Sequence, residues 1–294
     1  MNVVAIINPI SGSGMDPSVA DRRVATLRAE LERRHTDALI QVTRGSGHAR
    51  EIAAAAVRNR AALVIVWGGD GTVNEAASAL VGSSTALGLV PAGSGNGLAA
   101  ALGVPRRARD AVVLALTARA RAIDVGTLAG RPFFNVAGVG FDAHIARLFN
   151  QRARGSRGRW PYVVLGVREG CRYRAQDYAL QLDGTSTTVR ALMITFANGI
   201  EFGMGAKIAP EARLDDGLLD MVLVEDRPIA ARFWDARYLA LGSVQRAPRV
   251  TCQRIRAATI EAEAPLEFHV DGECGVAEGR VEVGILPGAL NVMA

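Results

Sequence analysis

Lysine is all but missing from this 294-residue chain: Lys207 is the only one, so the formal charge of +5 rests almost wholly on arginine. With no lysine in the first 123 residues and no GxxxxGK[ST] loop, a P-loop site that grips phosphates through its lysine is excluded. A Rossmann GxGxxG is also missing, although Gly93-Ser94-Gly95-Asn96-Gly97 superficially approaches it. Cysteines number three (Cys171, Cys252, Cys274) and lack metal-ligand spacing, which predicts free thiols in a reducing compartment. The four histidines form no ligand pattern, so a structural zinc site is not expected. Residues 1–7 carry no basic head and only a short apolar run, so no export signal is expected and the chain is placed in the cytoplasm. The charge-free run 76–105 is interrupted by Gly, Pro and Ser, and reads as helix, strand, loop and helix rather than a membrane span.

What is present is a soluble-type composition, 49% hydrophobic and 21% charged, at a length that suits two compact domains. The organising stretch is Leu63-Val64-Ile65-Val66-Trp67-Gly68-Gly69-Asp70-Gly71-Thr72-Val73-Asn74-Glu75. A largely β-branched run stops at two glycines and opens an alanine-rich helical pattern, which predicts a buried strand feeding a phosphate loop. Asp70 stands out because a carboxylate inside an anion site repels phosphate unless a metal lies between them or the acid does chemistry itself. A tight strand-to-helix turn with Asp70 as a cap is the plainer alternative.

Further strands are expected at 3–7, 38–43 and 86–90, with helices between them; residues 20, 24, 27 and 31 form the apolar face of the first helix. This alternation predicts βαβ units, a parallel sheet, and ligands beyond the carboxyl ends of its strands. The loops at Asn8, Thr43, Gly68 and Pro91 all fall there. After a helix expected around 111–118 the pattern changes to short strands at 122–125, 132–139, 178–182, 189–198, 219–224, 256–261, 266–270 and 281–285, interrupted by helices at 142–150, 160–173 and 229–241. The fold class is therefore an α/β N-terminal domain with a parallel sheet (1–123) followed by a β-rich sandwich C-terminal domain (124–294), joined tightly with a cleft between them.

Three glycine loops at one sheet edge can offer backbone N–H groups to a polyphosphate, with the Ser94 and Thr72 hydroxyls as further donors. Asn8-Pro9-Ile10-Ser11-Gly12, Gly68-Gly69-Asp70-Gly71-Thr72-Val73-Asn74-Glu75 and Pro91-Ala92-Gly93-Ser94-Gly95-Asn96 resemble the nucleotide motifs of the diacylglycerol kinase catalytic-domain family. That family includes sphingosine and ceramide kinases and soluble bacterial lipid kinases, and shares an ancestral fold with NAD kinases. The resemblance continues through Gly138-Val139-Gly140-Phe141-Asp142-Ala143, the segment from Pro210 to Asp220, and Asp271-Gly272-Glu273. It implies a lipid kinase that uses ATP and Mg2+, with ATP contacts from Asn8, Pro9, Ser11, Gly12, Thr43, Gly68, Gly69, Asp70, Gly71, Thr72, Val73, Asn74 and Ser94. Arg213, Asp216 and Leu218 match a magnesium site of bacterial members, through the Asp216 carboxylate and two backbone carbonyls; a carboxylate that shapes the turn at Gly217 is the equal alternative. Glu273 matches the proton acceptor, with Asp271 close enough in sequence to share that catalytic work and Asp70 either competing for it or holding a magnesium-bound water network; a plain Asp-Gly turn between strands is the alternative for the triplet. The family more often has threonine where Ser94 stands; the serine version is closer to sphingosine kinases, so a diacylglycerol-like and a sphingoid or ceramide-like acceptor both stay open. An NAD kinase-like enzyme and a non-catalytic lipid or nucleotide sensor are the alternative functions.

Between Arg147 and Arg174 there are eight arginines and one acid, Glu169, with Trp160, Tyr162 and Tyr173 interleaved. This patch suits an anionic membrane surface; a solvated loop and helix face is the equal alternative. The expected partners are a lipid substrate at the inner face of the membrane, peripherally engaged, and a second copy of the chain in a homodimer; no nucleic-acid motif accompanies the patch, so nucleic acid is not expected.

Overall fold

The computed structural model describes residues 2–12, 18–151, 159–201 and 207–294, without the side chains of 159–163, 233, 236, 239 and 240. The chain forms two compact units, 1–123 with 288–294, and 124–287.

In the first unit the continuous apolar runs β1 (Val3–Ile7), β2 (Ala38–Val42), β3 (Leu63–Gly68) and β4 (Ala86–Pro91) build a parallel sheet in the order β2-β1-β3-β4. Every residue of β1 and β3 is buried, as expected for strands covered on both faces. Between them run α1 (Ser18–Glu32), α2 (His48–Arg58) and α3 (Asp70–Leu80), and α4 (Gly97–Ala101) and α5 (Ala108–Thr117) follow β4. Because β2 lies to one side of β1 and β3 to the other, the strand order reverses between β1 and β3, and the loops after both open at that point.

Two expectations need correcting here. The buried row of α1 is Val19, Arg23, Leu27, Glu30 and Leu31, not 20, 24, 27 and 31, so two charged residues lie inside. Residues 288–294, expected in the second domain, belong to the first unit. Val292 pairs with Leu87 on β4, and Leu290 and Val292 are fully buried, so the C-terminal residues close an edge that β4 would otherwise expose.

The second unit is built on antiparallel pairing of β5 (Ala120–Leu128), β6 (Arg131–Phe133), β7 (Val136–Gly140), β8 (Gln176–Leu182), β9 (Thr185–Ala197), β10 (Leu219–Glu225), β11 (Val250–Ile255), β12 (Ala257–Glu261), β13 (Leu266–Val270), β14 (Glu273–Ala277) and β15 (Arg280–Met293). Its helices are α6 (Phe141–Gln151), α7 (Arg159–Gly170) and α8 (Ile229–Ala240). Phe133, Tyr178, Phe196, Leu219, Ile260 and Val270 meet in its core.

The strand expected at 132–139 is two strands, broken at Phe134 and Asn135, whose N–H groups turn to the Asp271 carboxylate. β11 and β14 were not expected. Both are edge strands, β11 largely exposed and β14 with no buried residue, and neither has an apolar alternation to betray it. β15 runs on past 285, where the expected strand ended, through Pro287 and Gly288.

Candidate active site

The loop after β1 is held from below. Arg23 donates to the carbonyls of Asn8 and of Ser11 (2.6 Å), and its guanidinium lies 5.9 Å from the Trp67 ring centre. Burial lowers the Arg23 pKa. The Asn8 amide donates to the Thr72 hydroxyl at 2.7 Å, and its oxygen accepts the Ile10 N–H at 3.0 Å, tying the first loop to α3 and to itself. Ser11 Oγ accepts the Gly69 N–H at 3.2 Å. Ser13 and Gly14 lie outside the described residues.

Three loops meet backbone to backbone. A Cβ on Gly93 would stand 2.7 Å from Gly69 Cα, and one on Gly95 2.6 Å from Asp70 Oδ2. At Gly12, where φ is +77°, a Cβ would strike the Ala92 carbonyl. Gly12→Ala combines that collision with a left-handed backbone and is expected to cost about 1–3 kcal/mol; a lowered thermal midpoint checks it, and an unchanged midpoint would contradict it.

Both carboxylates of the Gly68–Glu75 motif cap backbone N–H groups of neighbouring loops. Asp70 accepts Asn96 N–H on Oδ2 and Gly97 N–H on Oδ1, each at 2.8 Å, at the start of α4. Glu75 accepts Gly47 N–H at 2.8 Å, at the start of α2; Thr43, just after β2 in the chain, is buried. This favourable placement of anions at helix starts was not read from the sequence for Glu75. The sequence also suggested that the whole loop 93–96 offers N–H groups to an anion. In the structure Gly93 N–H goes to Asn96 Oδ1 and Asn96 N–H to Asp70, so two of the loop's four N–H groups are already engaged.

In the second unit Asp271 and Gly272 form the two-residue turn between β13 and β14, with φ of +47° and +86°; Val270 pairs with Glu273. Two positive φ values are what Asp-Gly supplies in a type I′ hairpin. The Asp271 carboxylate accepts Phe134 N–H (2.8 Å), Asn135 N–H (2.9 Å) and Val136 N–H (3.0 Å). A second Asp-Gly hairpin, Asp183-Gly184, does the same with Arg256 and Ala257 N–H groups. Glu273, by contrast, is exposed at the start of β14.

Arg213, Asp216 and Leu218 lie on the turn before β10. Asp216 Oδ1 accepts the Leu218 N–H at 3.1 Å, and the buried Asp124 accepts the Gly217 N–H at 2.7 Å. Burial, then Asp216 and Glu211, push the nearby Asp220 carboxyl up, while Arg254 pulls it down. Among the described residues no cluster of three or more His, Cys, Asp or Glu is arranged around a metal. The Asp216 carboxylate is an oxygen donor of the kind a hard cation such as Mg2+ takes, and one of its oxygens holds the Leu218 N–H.

Within the basic segment, Arg152, Arg154 and Arg157 lie outside the described residues, as do the side chains of Arg159, Trp160 and Tyr162. Arg147 pairs with Glu267 at 3.0 Å and Tyr173 packs on Phe141 and His144, so these two turn inward; Arg168, Arg172 and Arg174 are exposed. Lys207 is exposed as well. No helix among the described residues is long and apolar enough to cross a membrane.

A parallel α/β unit with glycine loops gathered at its switch point, followed by an antiparallel β unit, is an architecture in which phosphate-bearing ligands bind beyond the carboxyl ends of the parallel strands. Residues 2–128 match the diacylglycerol kinase catalytic domain, and residues 135–294 match the YegS C-terminal NAD kinase beta sandwich-like domain. The second match alone covers more than half of the chain, which therefore belongs to the family that carries the YegS C-terminal NAD kinase beta sandwich-like domain, here preceded by a diacylglycerol kinase catalytic domain. A "Probable lipid kinase YegS-like" protein of Chromohalobacter salexigens is 31% identical over 205 residues, 68% of this chain and 64% of that one. A diacylglycerol kinase of Staphylococcus aureus strain Newman is 26% identical over 182 residues, 61% of this chain and 57% of that one. The chain thus matches just under two thirds of the first relative's length and less of the second's. A crystal structure of a candidate diacylglycerol kinase from Bacillus anthracis str. Sterne shares the fold at a TM-score of 0.82, with 23% identity, over 99% of this chain and 94% of that one. A second diacylglycerol kinase structure from the same organism gives 0.73 at 21% identity, over 99% and 96%.

Proposed function

We propose that this chain is a lipid kinase that transfers the γ-phosphoryl group of Mg-ATP to a hydroxyl of a diacylglycerol-like or sphingoid lipid. The observation that carries this reading is the backbone-to-backbone convergence of three glycine loops at the carboxyl ends of β1, β3 and β4, with Thr72 beside them. Such a site holds phosphates through backbone N–H groups, hydroxyls and a helix start rather than through lysine. Asn8 to Gly12, Thr43, Gly68 to Asn74 and Ser94 are its nucleotide contacts.

Glu273 takes the role of proton acceptor. It is the exposed carboxylate of the three candidates, whereas the oxygens of Asp70 and Asp271 already hold backbone N–H groups. A lipid hydroxyl is a weak nucleophile, and a carboxylate within hydrogen-bond reach removes its proton as phosphoryl transfer proceeds. Asp70 and Asp271 then act as positioning residues. Mg2+ bound at Asp216 with the carbonyls of Arg213 and Leu218 would supply positive charge to an acidic turn. Exposed Arg168, Arg172 and Arg174, with exposed Trp234 and Leu241 on and just after α8, support peripheral engagement of an anionic membrane where the lipid resides.

Incubation with labelled ATP, Mg2+ and extracted lipid, followed by mass spectrometry, tests the reading. A lipid heavier by one phosphate is the expected product. Phosphorylated NAD in a parallel reaction, with lipid unchanged, would move the activity to a soluble acceptor. No labelled product from either acceptor would leave the chain as a sensor.

A further inference from the structure

Helix α6 meets β13 through polar side chains at a depth where apolar ones are usual. On β13 the residues Leu266, Phe268 and Val270 enter the hydrophobic core, so Glu267 and His269 fall on the opposite side of the pleat. His269 is 4% exposed, Asp142 in the first turn of α6 5%, and Thr195 on β9 0%.

The hydrogen bonds assign the imidazole. Gly272 N–H donates to His269 Nδ1 at 3.3 Å, so Nδ1 presents its lone pair and the proton of the neutral ring is on Nε2. Nε2 lies 3.4 Å from Asp142 Oδ2, the same oxygen that accepts the Thr195 hydroxyl at 2.7 Å. Asp142 Oδ1 accepts the Ala143 N–H at 2.8 Å, which locks the carboxylate to its own helix. On the other side of Gly272, its carbonyl accepts from Asn150 Nδ2 at 2.8 Å, near the end of α6. Both peptide groups flanking Gly272 are therefore tied to α6, one through His269 and one directly, and Glu273 is the next residue along.

We infer that His269, backed by Asp142, is a positioning residue for Glu273: its Nδ1 lone pair fixes the Gly272 peptide and with it the direction in which the Glu273 carboxylate is presented. The turn itself does not need the ring. Asp183-Gly184 adopts the same two positive φ values, and the residue two before its aspartate is an exposed glutamine, Gln181. What the buried pair adds is one orientation, held at a desolvation cost that a Leu or Val pair would avoid.

The inference rests on the kinase reading for its activity readout and not for its structural one. Asparagine places an amide oxygen near the position of Nδ1, while glutamine reaches the position of Nε2 and leaves Gly272 N–H without its acceptor. In the full-length chain, assayed with Mg-ATP and vesicles containing diacylglycerol, His269→Asn should keep kcat within about threefold of wild type, and His269→Gln should lose roughly tenfold in kcat at unchanged KM for ATP. Amide hydrogen exchange at Gly272 should quicken by about tenfold in His269→Gln alone. Equal kcat and equal exchange in the two variants, or the larger loss in His269→Asn, would overturn the inference. If wild type transfers no phosphate, the exchange result decides: quickening confined to His269→Gln sustains the positioning role while the kinase reading falls. Should either variant fail to fold, Thr195→Val, which frees Asp142 on one side, should raise Gly272 exchange a few-fold, and no change there would count against the inference.

Discussion

Glu273→Gln is expected to lower kcat for lipid phosphorylation by about 10²–10⁴-fold, the range ordinarily lost with a general base. Nucleotide affinity and thermal midpoint should stay at wild-type values. The reason is its situation. Glu273 opens an edge strand, its side chain is exposed, and its backbone pairs with Val270 whatever the side chain is. The carboxamide is isosteric and removes only basicity. Asp271→Asn should behave in the opposite way, because that carboxylate accepts three N–H groups from the Phe134–Val136 segment and an amide nitrogen there would face donors. A kinetic assay alongside a thermal melt separates the two. Activity in Glu273→Gln at the wild-type level would return the base role to one of the other acids.

How far the sequence led depended on burial. β1, β3 and β4 were legible because both faces are covered, so each reads as an unbroken apolar run ending in a glycine loop. β11 and β14 were not, since an edge strand without a buried face leaves no period to detect. The break at Phe134 and Asn135 is set by a carboxylate more than 130 residues away, which no local pattern encodes. Arg23 was missed for a different reason. An arginine on a helix reads as solvated, yet the spacing Val19, Arg23, Leu27, Leu31 is a strict i, i+4 row, and an arginine in such a row was the available sign that a backbone lay above it to be held. His269 likewise read as one of four scattered histidines; its alternation with Leu266, Phe268 and Val270 was visible, but Asp142 and Thr195 come from other strands and helices.

Asp70→Asn is the second large effect, and here the structure changes what the sequence alone would suggest. From the sequence, the substitution removes a charge near phosphate and should leave the fold intact. The structure gives the carboxylate two further tasks, since Oδ2 holds Asn96 N–H and Oδ1 holds Gly97 N–H. A carboxamide can accept only one of these and turns its NH2 toward the other, at a cost of about 1–3 kcal/mol. Gly95 packs so close to Asp70 that the loop carrying Ser94 has no slack to absorb the change. Turnover is therefore expected to fall by at least about 10²-fold as the site loses its preorganised geometry. The thermal midpoint should fall with it, by roughly 2–4 °C per kcal/mol for a chain of this size. An undisturbed melt with abolished turnover would mean that Asp70 acts on metal and phosphate alone. A lowered melt with ATP binding weakened in proportion is the signature of the clamp, read by calorimetric titration of Mg-ATP against the same two proteins.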